Sequence, residues 1–177
     1  MGGLVVRREE PPDFEAISRV VAAAFGSPAE ARLVQAIRES ESYLPDLSLV
    51  AEVDGEIAGH VMISYVELDA PDGRRRIASL SPLAVAPEMQ GRGIGSALVA
   101  TVTRAADERG EPAVVLEGSP RYYGRLGFEQ SVPHGVTIEL PTWAPPEAAQ
   151  IMRLGSYHPD LAGRVVYPPA FDVAAPD

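Results

Sequence analysis

Cysteine and lysine are both absent from this sequence of 177 residues, and histidine occurs only three times. Without cysteine, the chain cannot form a disulfide framework, a thiolate zinc site or a cysteine nucleophile. The histidines, His60, His134 and His158, are scattered along the chain and give no pattern for a metal site. We therefore predict that the protein uses no metal.

Long apolar runs and basic residues are also scarce. No apolar run approaches the roughly 18 residues that a membrane span requires, and the mixed-charge amino terminus is unlike a signal peptide, so we expect a cytoplasmic protein without a membrane partner. The formal net charge is -10. Because phosphate backbones require a basic surface, nucleic acid is not an expected partner. The acidity favours a cationic substrate, although acidity for solubility alone is the alternative.

Glycine is concentrated in a turn that leads into an amphipathic helix. The turn follows a predicted strand at residues 77–85 and comprises Gln90, Gly91, Arg92, Gly93, Ile94, Gly95 and Ser96. Glycines let the backbone approach an anion closely, and the first amides of a helix have no intrahelical partner. The pattern predicts a phosphate-binding turn, with a ligand-free start of a helix as the alternative.

Two common phosphate-binding motifs do not fit this turn. A Walker loop ends in Gly-Lys-Ser/Thr, and the chain has no lysine. A dinucleotide fingerprint, G-x-G-x-x-G, requires glycine at position 96, where Ser96 stands. The turn therefore belongs to neither class.

The sequence resembles the GNAT superfamily of acetyl-CoA-dependent N-acetyltransferases. Gln90, Gly93 and Gly95 match its Q/R-x-x-G-x-G/A motif, which in that family wraps the pyrophosphate of coenzyme A. Pro82-Leu83-Ala84-Val85 is similar to the splayed central strand of the family, and residues 123–128 are similar to its Y-x-x-L-G-F segment. Together with the late VVYPPAF, these segments most resemble the bacterial YhbS-like branch of predicted acetyltransferases. The resemblance implies acetyl-CoA as co-substrate.

Pro82 adds an argument from its own chemistry. Proline cannot donate a ladder hydrogen bond, so it predicts a bulge or an edge within the strand. If the strand parts there from the predicted parallel strand at 113–116, the backbone groups of Leu83, Ala84 and Val85 lose a strand partner. Buried peptide groups need partners, so we expect them to pair with the amide-rich pantetheine arm. An ordinary edge irregularity is the alternative.

The resemblance also implies catalytic roles. The amide of Val85 corresponds to the group that polarises the thioester carbonyl, and Tyr123 to the tyrosine that protonates the departing sulfur. A core tyrosine that merely packs is the alternative for Tyr123, and its neighbour Tyr122 complicates the choice. Ser119 is a further candidate, for a hydrogen bond to the pantetheine arm or to an ordered water. Arg121 and Arg125 face either the 3'-phosphate of the adenosine or solvent.

The general base is less clear from sequence. An alkylammonium has a pKa near ~10, so a carboxylate, a histidine or a water chain must accept its proton. Glu117, at the end of the second parallel strand, is our first choice, and Glu67, Asp69 and His60 are alternatives. Where related YhbS-like sequences tend to carry Gly-His-Pro, this chain has Gly118-Ser119-Pro120. No role can therefore be transferred from that histidine.

The pattern of elements predicts a single domain over residues 1–177. We expect an α/β (α+β) fold with a GNAT-like mixed, mostly antiparallel central sheet, a splayed parallel strand pair and flanking helices. Asp54-Gly55 predicts a tight hairpin turn between strands at 47–53 and 56–68. We expect a polar connection over residues 71–76 and, after the parallel pair, a short helix at 120–126 and weaker strands at 136–140 and 149–154. Residues 165–177 read as an extended, partly ordered arm.

The favoured function is an acetyl-CoA-dependent N-acetyltransferase that acts by direct attack of a primary amine of a small molecule or peptide. A non-catalytic acyl-CoA-binding or regulatory module is the alternative, and a structural protein without cofactor is a third. The acceptor cannot be read from the sequence. Trp143, the only tryptophan, is a candidate to line the acceptor pocket, although a packing role is the alternative. Homodimers are common among similar proteins.

Overall fold

The structure, a computed structural model, describes residues 2–174. Over these residues the chain forms four helices, α1 (Phe14–Phe25), α2 (Ala29–Arg38), α3 (Ile94–Glu108) and α4 (Pro120–Gly124). It also forms nine strands, β1 (Leu4–Arg8), β2 (Ser48–Val53), β3 (Glu56–Ala70), β4 (Gly73–Val85), β5 (Ala113–Glu117), β6 (Glu129–Gln130), β7 (Val136–Thr137), β8 (Ala149–Arg153) and β9 (Gly163–Val166). A 3₁₀-helix follows at Pro169–Ala174.

A single mixed sheet contains all of these strands. Its order is β1-β2-β3-β4-β5-β8-β6, and β9 pairs with both β3 and β7. Neighbours run antiparallel except β4 with β5 and β7 with β9, which are parallel. The predicted fold class, a mixed and mostly antiparallel sheet with a parallel pair and flanking helices, is confirmed.

The core lies on both faces of the sheet. α3 packs Leu98 and Val102 against Val61 and Ile63 of β3, while the intervening Met62 faces the opposite cluster, which α1 and α2 supply. The alternation follows from the period of two along a strand. No helix between residues 2 and 174 is long and apolar enough to cross a membrane.

Two hairpins build the antiparallel half of the sheet. Asp54 and Gly55 join β2 to β3 with φ values of 52° and 81°, as predicted for this turn. The prediction of a polar connection over residues 71–76 is wrong from Gly73 onward, because β4 begins there and its arginines, Arg74–Arg76, pair with residues 67–69 of β3. Opposite charges across neighbouring strands stabilise this extension, in which Arg74 contacts Glu67 at 2.6 Å.

β4 separates from β5 near its end. The register with β3 shifts between the pairs Val61–Leu83 and Ile63–Leu80, so Ser81 and Pro82 form the predicted bulge. The parallel pairing with β5 covers only Ala78 and Ser79. From Leu80 onward β4 therefore has a partner on one side only, and a gap opens beside it.

The last part of the chain is more regular than sequence reasoning suggests. Where the sequence predicts an extended arm, β9 pairs with residues 67–69 of β3, and the 3₁₀-helix at Pro169–Ala174 packs beside α2. β3 outlasts β2, which leaves an edge for β9 to cover. β7 has only two residues instead of the five predicted at 136–140. Residues 175–177 of the predicted arm lie outside the described residues.

Candidate active site

The turn between β4 and α3 presents backbone amides to solvent. Gly91 and Gly93 have φ values of 77° and 82°, a left-handed conformation that favours glycine. The first residues of α3 are Ile94, Gly95 and Ser96, and the helix has no side-chain cap. Within residues 2–174, no amide of residues 91–96 donates a hydrogen bond to the protein. These amides, at the positive end of the helix dipole, are free to bind an anion.

A groove of about 460 Å³ lies over these amides. Leu83 and Val85 of β4 line one side of it, and Tyr122 of α4 closes another. A Cβ atom at Gly95 would lie 2.5 Å from the Tyr122 hydroxyl oxygen, so a larger residue there would displace the Tyr122 side chain. A groove with free amides along it fits the diphosphate of coenzyme A.

The backbone of β4 next to the groove also offers unpaired groups. The amide of Ala86 donates to the carbonyl of Ala58 in β3 at 2.8 Å. In an antiparallel ladder alternate residues face the partner, so Ala84 and Ala86 point to β3 while Leu83 and Val85 point into the gap. Sequence reasoning groups Ala84 with the ligand-facing residues, whereas its backbone groups are directed to β3.

Gln90 shapes the same edge. Its side-chain amide donates to the carbonyl of Val85 at 3.0 Å, which occupies that oxygen and leaves the Val85 amide facing the gap. Arg92 is exposed and donates to the carbonyl of Glu88 at 3.3 Å. The glutamine of the predicted motif therefore holds the end of β4 in place, beside the amides that it was expected to join.

Tyr123 flanks the end of β5. Its ring lies against Gly118, where a Cβ atom would come within 2.6 Å of the ring, and makes an edge contact with Phe128 at 5.7 Å between centroids. Burial, and then the neighbouring Tyr122, raises the pKa of Tyr123 to about 12. The phenol is therefore protonated at neutral pH, as a proton donor must be.

Glu117 ends β5 on the other side of the gap. It borders a cavity of about 330 Å³ together with Ser79, Leu80 and Ser81, where the pairing of β4 with β5 stops. The hydroxyl of Tyr167 donates a hydrogen bond to the Glu117 carboxylate. Burial, followed by the charge of Glu117, raises the pKa of Tyr167, so this phenol remains a donor. Sequence reasoning did not identify Tyr167.

Two of the alternative bases lie elsewhere, in ion pairs. Glu67 contacts Arg74 at 2.6 Å, and Asp69 lies 3.7 Å from Arg164. Both carboxylates belong to the far end of β3, which pairs with the start of β4. Neither borders the cavity beside Glu117.

His60 belongs to a buried polar network. Its Nε2 lies 3.0 Å from Glu9, which also accepts hydrogen bonds from Arg38 at 2.8 Å and Tyr43 at 2.8 Å. Burial lowers the pKa of His60, although the contact with Glu9 opposes this. Burial alone would raise the pKa of Glu9, but the hydrogen bonds from Arg38 and His60 outweigh it and hold the pKa well below its usual range. The network ties β1, α2 and β3 together and has no access to the gap.

Ser119 and the arginines of α4 occupy the rim of the site. The Ser119 side chain accepts a hydrogen bond from the amide of Tyr122 at 3.3 Å and so caps α4. Arg121 and Arg125 are exposed. The free amides at residues 91–96 and the Glu117 carboxylate thus lie at the two ends of the stretch of β4 that has no partner on the β5 side, and Tyr123 packs against Gly118 directly after β5. Free amides of this kind can hold a phosphate-bearing carrier.

Comparison with known families gives a match to the acetyltransferase (GNAT) domain over residues 5–131. The matched region includes the bulge of β4, the glycine turn and α4. It ends before β7, so β8, β9 and Tyr167 lie beyond it.

Two Escherichia coli K12 proteins are similar in sequence. The uncharacterized N-acetyltransferase YjhQ is 38% identical over 121 residues, which cover 66% of this chain and 65% of YjhQ. The uncharacterized N-acetyltransferase YhbS is 34% identical over 139 residues, which cover 78% of this chain and 81% of YhbS.

Two solved structures resemble the whole chain. The E. coli YhbS structure in complex with CoA has a TM-score of 0.85 and 31% identity, and the match covers 97% of this chain and 93% of that one. A GNAT family acetyltransferase from Brucella melitensis, in complex with acetyl-CoA, has a TM-score of 0.78 and 29% identity, and the match covers 97% of this chain and 100% of that one.

Proposed function

Since this chain belongs to the GNAT family of N-acetyltransferases, we propose that it transfers an acetyl group from acetyl-CoA to a primary amine of a small molecule or peptide by direct attack. The observation that carries the proposal is the set of unpaired amides at residues 91–96 beside the gap between β4 and β5. The related structures that hold CoA and acetyl-CoA support the choice of carrier.

Backbone groups of the glycine turn and of β4 hold the carrier. Amides 91–96 bind its diphosphate, and Arg92, exposed at the same turn, adds positive charge. The backbone groups of Leu83 and Val85 that face the gap pair with the amide-rich pantetheine arm, since buried peptide groups need partners. Ser119, at the opposite rim, is proposed as a further polar contact to the pantetheine arm.

Three groups of this chain perform the chemistry. When bound, acetyl-CoA supplies an activated thioester. The Val85 amide acts as the hydrogen-bond donor to the carbonyl oxygen on which negative charge develops. Tyr123 holds a phenolic proton for the departing sulfur. Glu117 accepts the proton that the substrate ammonium must lose before its nitrogen can attack as a neutral amine.

Thiol release over a panel of primary amines tests the proposal. We expect Tyr123→Phe to lower kcat by about 10²-fold, the usual contribution of a positioned proton donor, with the KM for acetyl-CoA little changed. Tyr157→Phe is the matched control, because Tyr157 lies beside His134, away from the gap. Glu117→Gln should lower kcat similarly, with Glu108→Gln, exposed at the end of α3, as its control.

The outcomes are separable. Unchanged turnover in Tyr123→Phe would remove this residue from its assigned role. Stabilisation by acetyl-CoA without thiol release for any amine would favour a non-catalytic acyl-CoA-binding module instead. Because the chain has no lysine, its own side chains contribute no amine to the measured signal.

A further inference from the structure

A second cavity adjoins Glu117, and Tyr167 is not among the residues that line it. It has a volume of about 290 Å³ and lies between the start of α4 and the segment that precedes β8. Its wall is mainly apolar, with Leu140, Pro141, Trp143, Pro145 and Ala148 on one side. Glu117 is the charged residue among those that line it.

Trp143 stands at the rim of this cavity with 83% of its surface exposed. The sequence left open whether this tryptophan packs or lines a pocket, and an exposure this high excludes a packing role. Pro141 and Pro145 restrict the backbone on both sides of it. A rigidly presented aromatic ring at the mouth of an apolar cavity gains free energy when a ligand covers it.

Glu117 is common to two cavities. It borders both the apolar cavity and the cavity beside Ser79 and Ser81, where the parallel pairing ends. Tyr167 holds the carboxylate at that boundary. A group seated in the apolar cavity would therefore place a neighbouring atom next to a fixed negative charge.

We propose that the acceptor is a primary amine with an apolar or aromatic substituent, which packs in the cavity beneath Trp143 while the amino group lies at Glu117. This inference rests on the proposed acetyl transfer, since it specifies the amine that the transfer uses. Besides the Glu117 carboxylate and the Ser119 hydroxyl, the side chains of the lining are apolar, so a polyamine or a sugar amine would find few partners for its other polar groups.

Trp143 is the only tryptophan, so its intrinsic fluorescence reports on this cavity without labelling. We expect 2-phenylethylamine and hexylamine to cause a saturable change in emission, and ethanolamine and ethylenediamine to cause none at the same concentrations. The titration measures binding and needs no turnover. A flat response to both apolar amines would overturn the inference.

Kinetics over the n-alkylamines from ethylamine to hexylamine give the second readout. Burial of one methylene is worth about 0.8 kcal/mol, so kcat/KM should rise about fourfold per carbon until the cavity is filled. Trp143→Ala should flatten this dependence without changing the KM for acetyl-CoA. Trp143→Phe, which keeps an aromatic ring at the rim, should retain most of it.

These results separate the inference from the proposed function. If amines are acetylated with no dependence on chain length, and Trp143→Ala behaves as the parent protein, the apolar acceptor site is wrong while acetyl transfer stands. If the apolar amines bind at Trp143 but no amine releases thiol in the presence of acetyl-CoA, the cavity stands and the transfer fails.

Discussion

The environment of Tyr123 leads to a prediction about how kcat depends on pH. Burial and Tyr122 raise its pKa to about 12, so it remains protonated well beyond the point at which an exposed phenol titrates, about pH 10. We predict that kcat, once the amine is deprotonated, stays level through pH 10 instead of falling there. A profile of kcat against pH, with circular dichroism to verify folding, checks this. A fall centred near pH 10, where an exposed phenol titrates, would contradict the assignment of Tyr123 as the acid.

Tyr167 should act on the reaction through Glu117. Tyr167→Phe removes the hydrogen bond to the carboxylate, and hydrogen bonds to charged groups are worth about 1.5–3 kcal/mol, so we predict a loss in kcat of about tenfold or more. The KM for acetyl-CoA should change little, because the hydrogen bond positions the carboxylate and not the carrier. A purely structural role would lower stability and leave kcat of the folded protein in place, and Tyr157→Phe is the matched control.

Some of the site was readable from sequence because its determinants are local. Pro82 predicts the bulge because it has no N–H group to donate. The spacing of the glycines just before a helix predicts the free amides. The partnership of Tyr167 with Glu117 was not readable, since it depends on β9 reaching β3. The segment VVYPPAF resembles the YhbS-like branch, but its residues do not indicate that Tyr167 contacts Glu117.

At the scale of the element, the two ends of α3 offer a matched test of the anion-binding turn at residues 91–96. Gly93 and Gly110 have φ values of 82° and 87°, and a Cβ atom at either would meet open space. Alanine in this conformation costs about 1–2 kcal/mol, so both Gly93→Ala and Gly110→Ala should lower the melting temperature to a similar extent. Only Gly93→Ala should weaken the stabilisation that acetyl-CoA gives, because only Gly93 belongs to the turn that presents the amides.

The measurement is a thermal melt of each variant with and without acetyl-CoA. If both variants lost ligand stabilisation equally, the loss would result from general destabilisation and not from damage to the turn at residues 91–96. Unchanged stabilisation in Gly93→Ala would argue against the diphosphate site itself.

Elements also show where sequence reasoning misreads polarity. Arg74, Arg75 and Arg76 look like a loop because they are charged and follow a turn. In the structure they extend β4, since Asp69 and Glu67 of β3 lie directly across from Arg74 and Arg76. Charge alone does not distinguish an exposed hairpin end from a connection, whereas the φ requirement of Asp54-Gly55 specifies its turn from the residues themselves.

At the scale of the molecule, the network of Glu9, Arg38 and His60 makes stability depend on pH. The lowered pKa of Glu9 means that its contribution is complete above about pH 4.3 and is lost as pH falls below that value. The lowered pKa of His60 means that the unfolded chain takes up a proton below about pH 6.5 while the folded chain does not. Both effects lower stability as the pH falls, so we predict a melting temperature that declines below about pH 6.5 through His60 and declines further below about pH 4.3 as the contribution of Glu9 is lost.

Glu9→Gln tests the network directly. It leaves the buried Arg38 without its counter-charge, and we expect a loss of about 3–5 kcal/mol in the free energy of unfolding, measured by urea denaturation at pH 7. His158→Gln, at an exposed histidine, should leave stability unchanged. A Glu9→Gln variant as stable as the parent would show that the network contributes little.

The pairing of β9 with β3 has a consequence for biosynthesis. When a ribosome has released residues 2–153, the glycine turn and both strands of the gap are present, yet Tyr167 and the strand that covers residues 67–69 are still to come. The turn with free amides at residues 91–96 is thus synthesised before Tyr167, whose hydrogen bond holds the Glu117 carboxylate. The order of synthesis separates the anion-binding turn from the contact that orients this carboxylate.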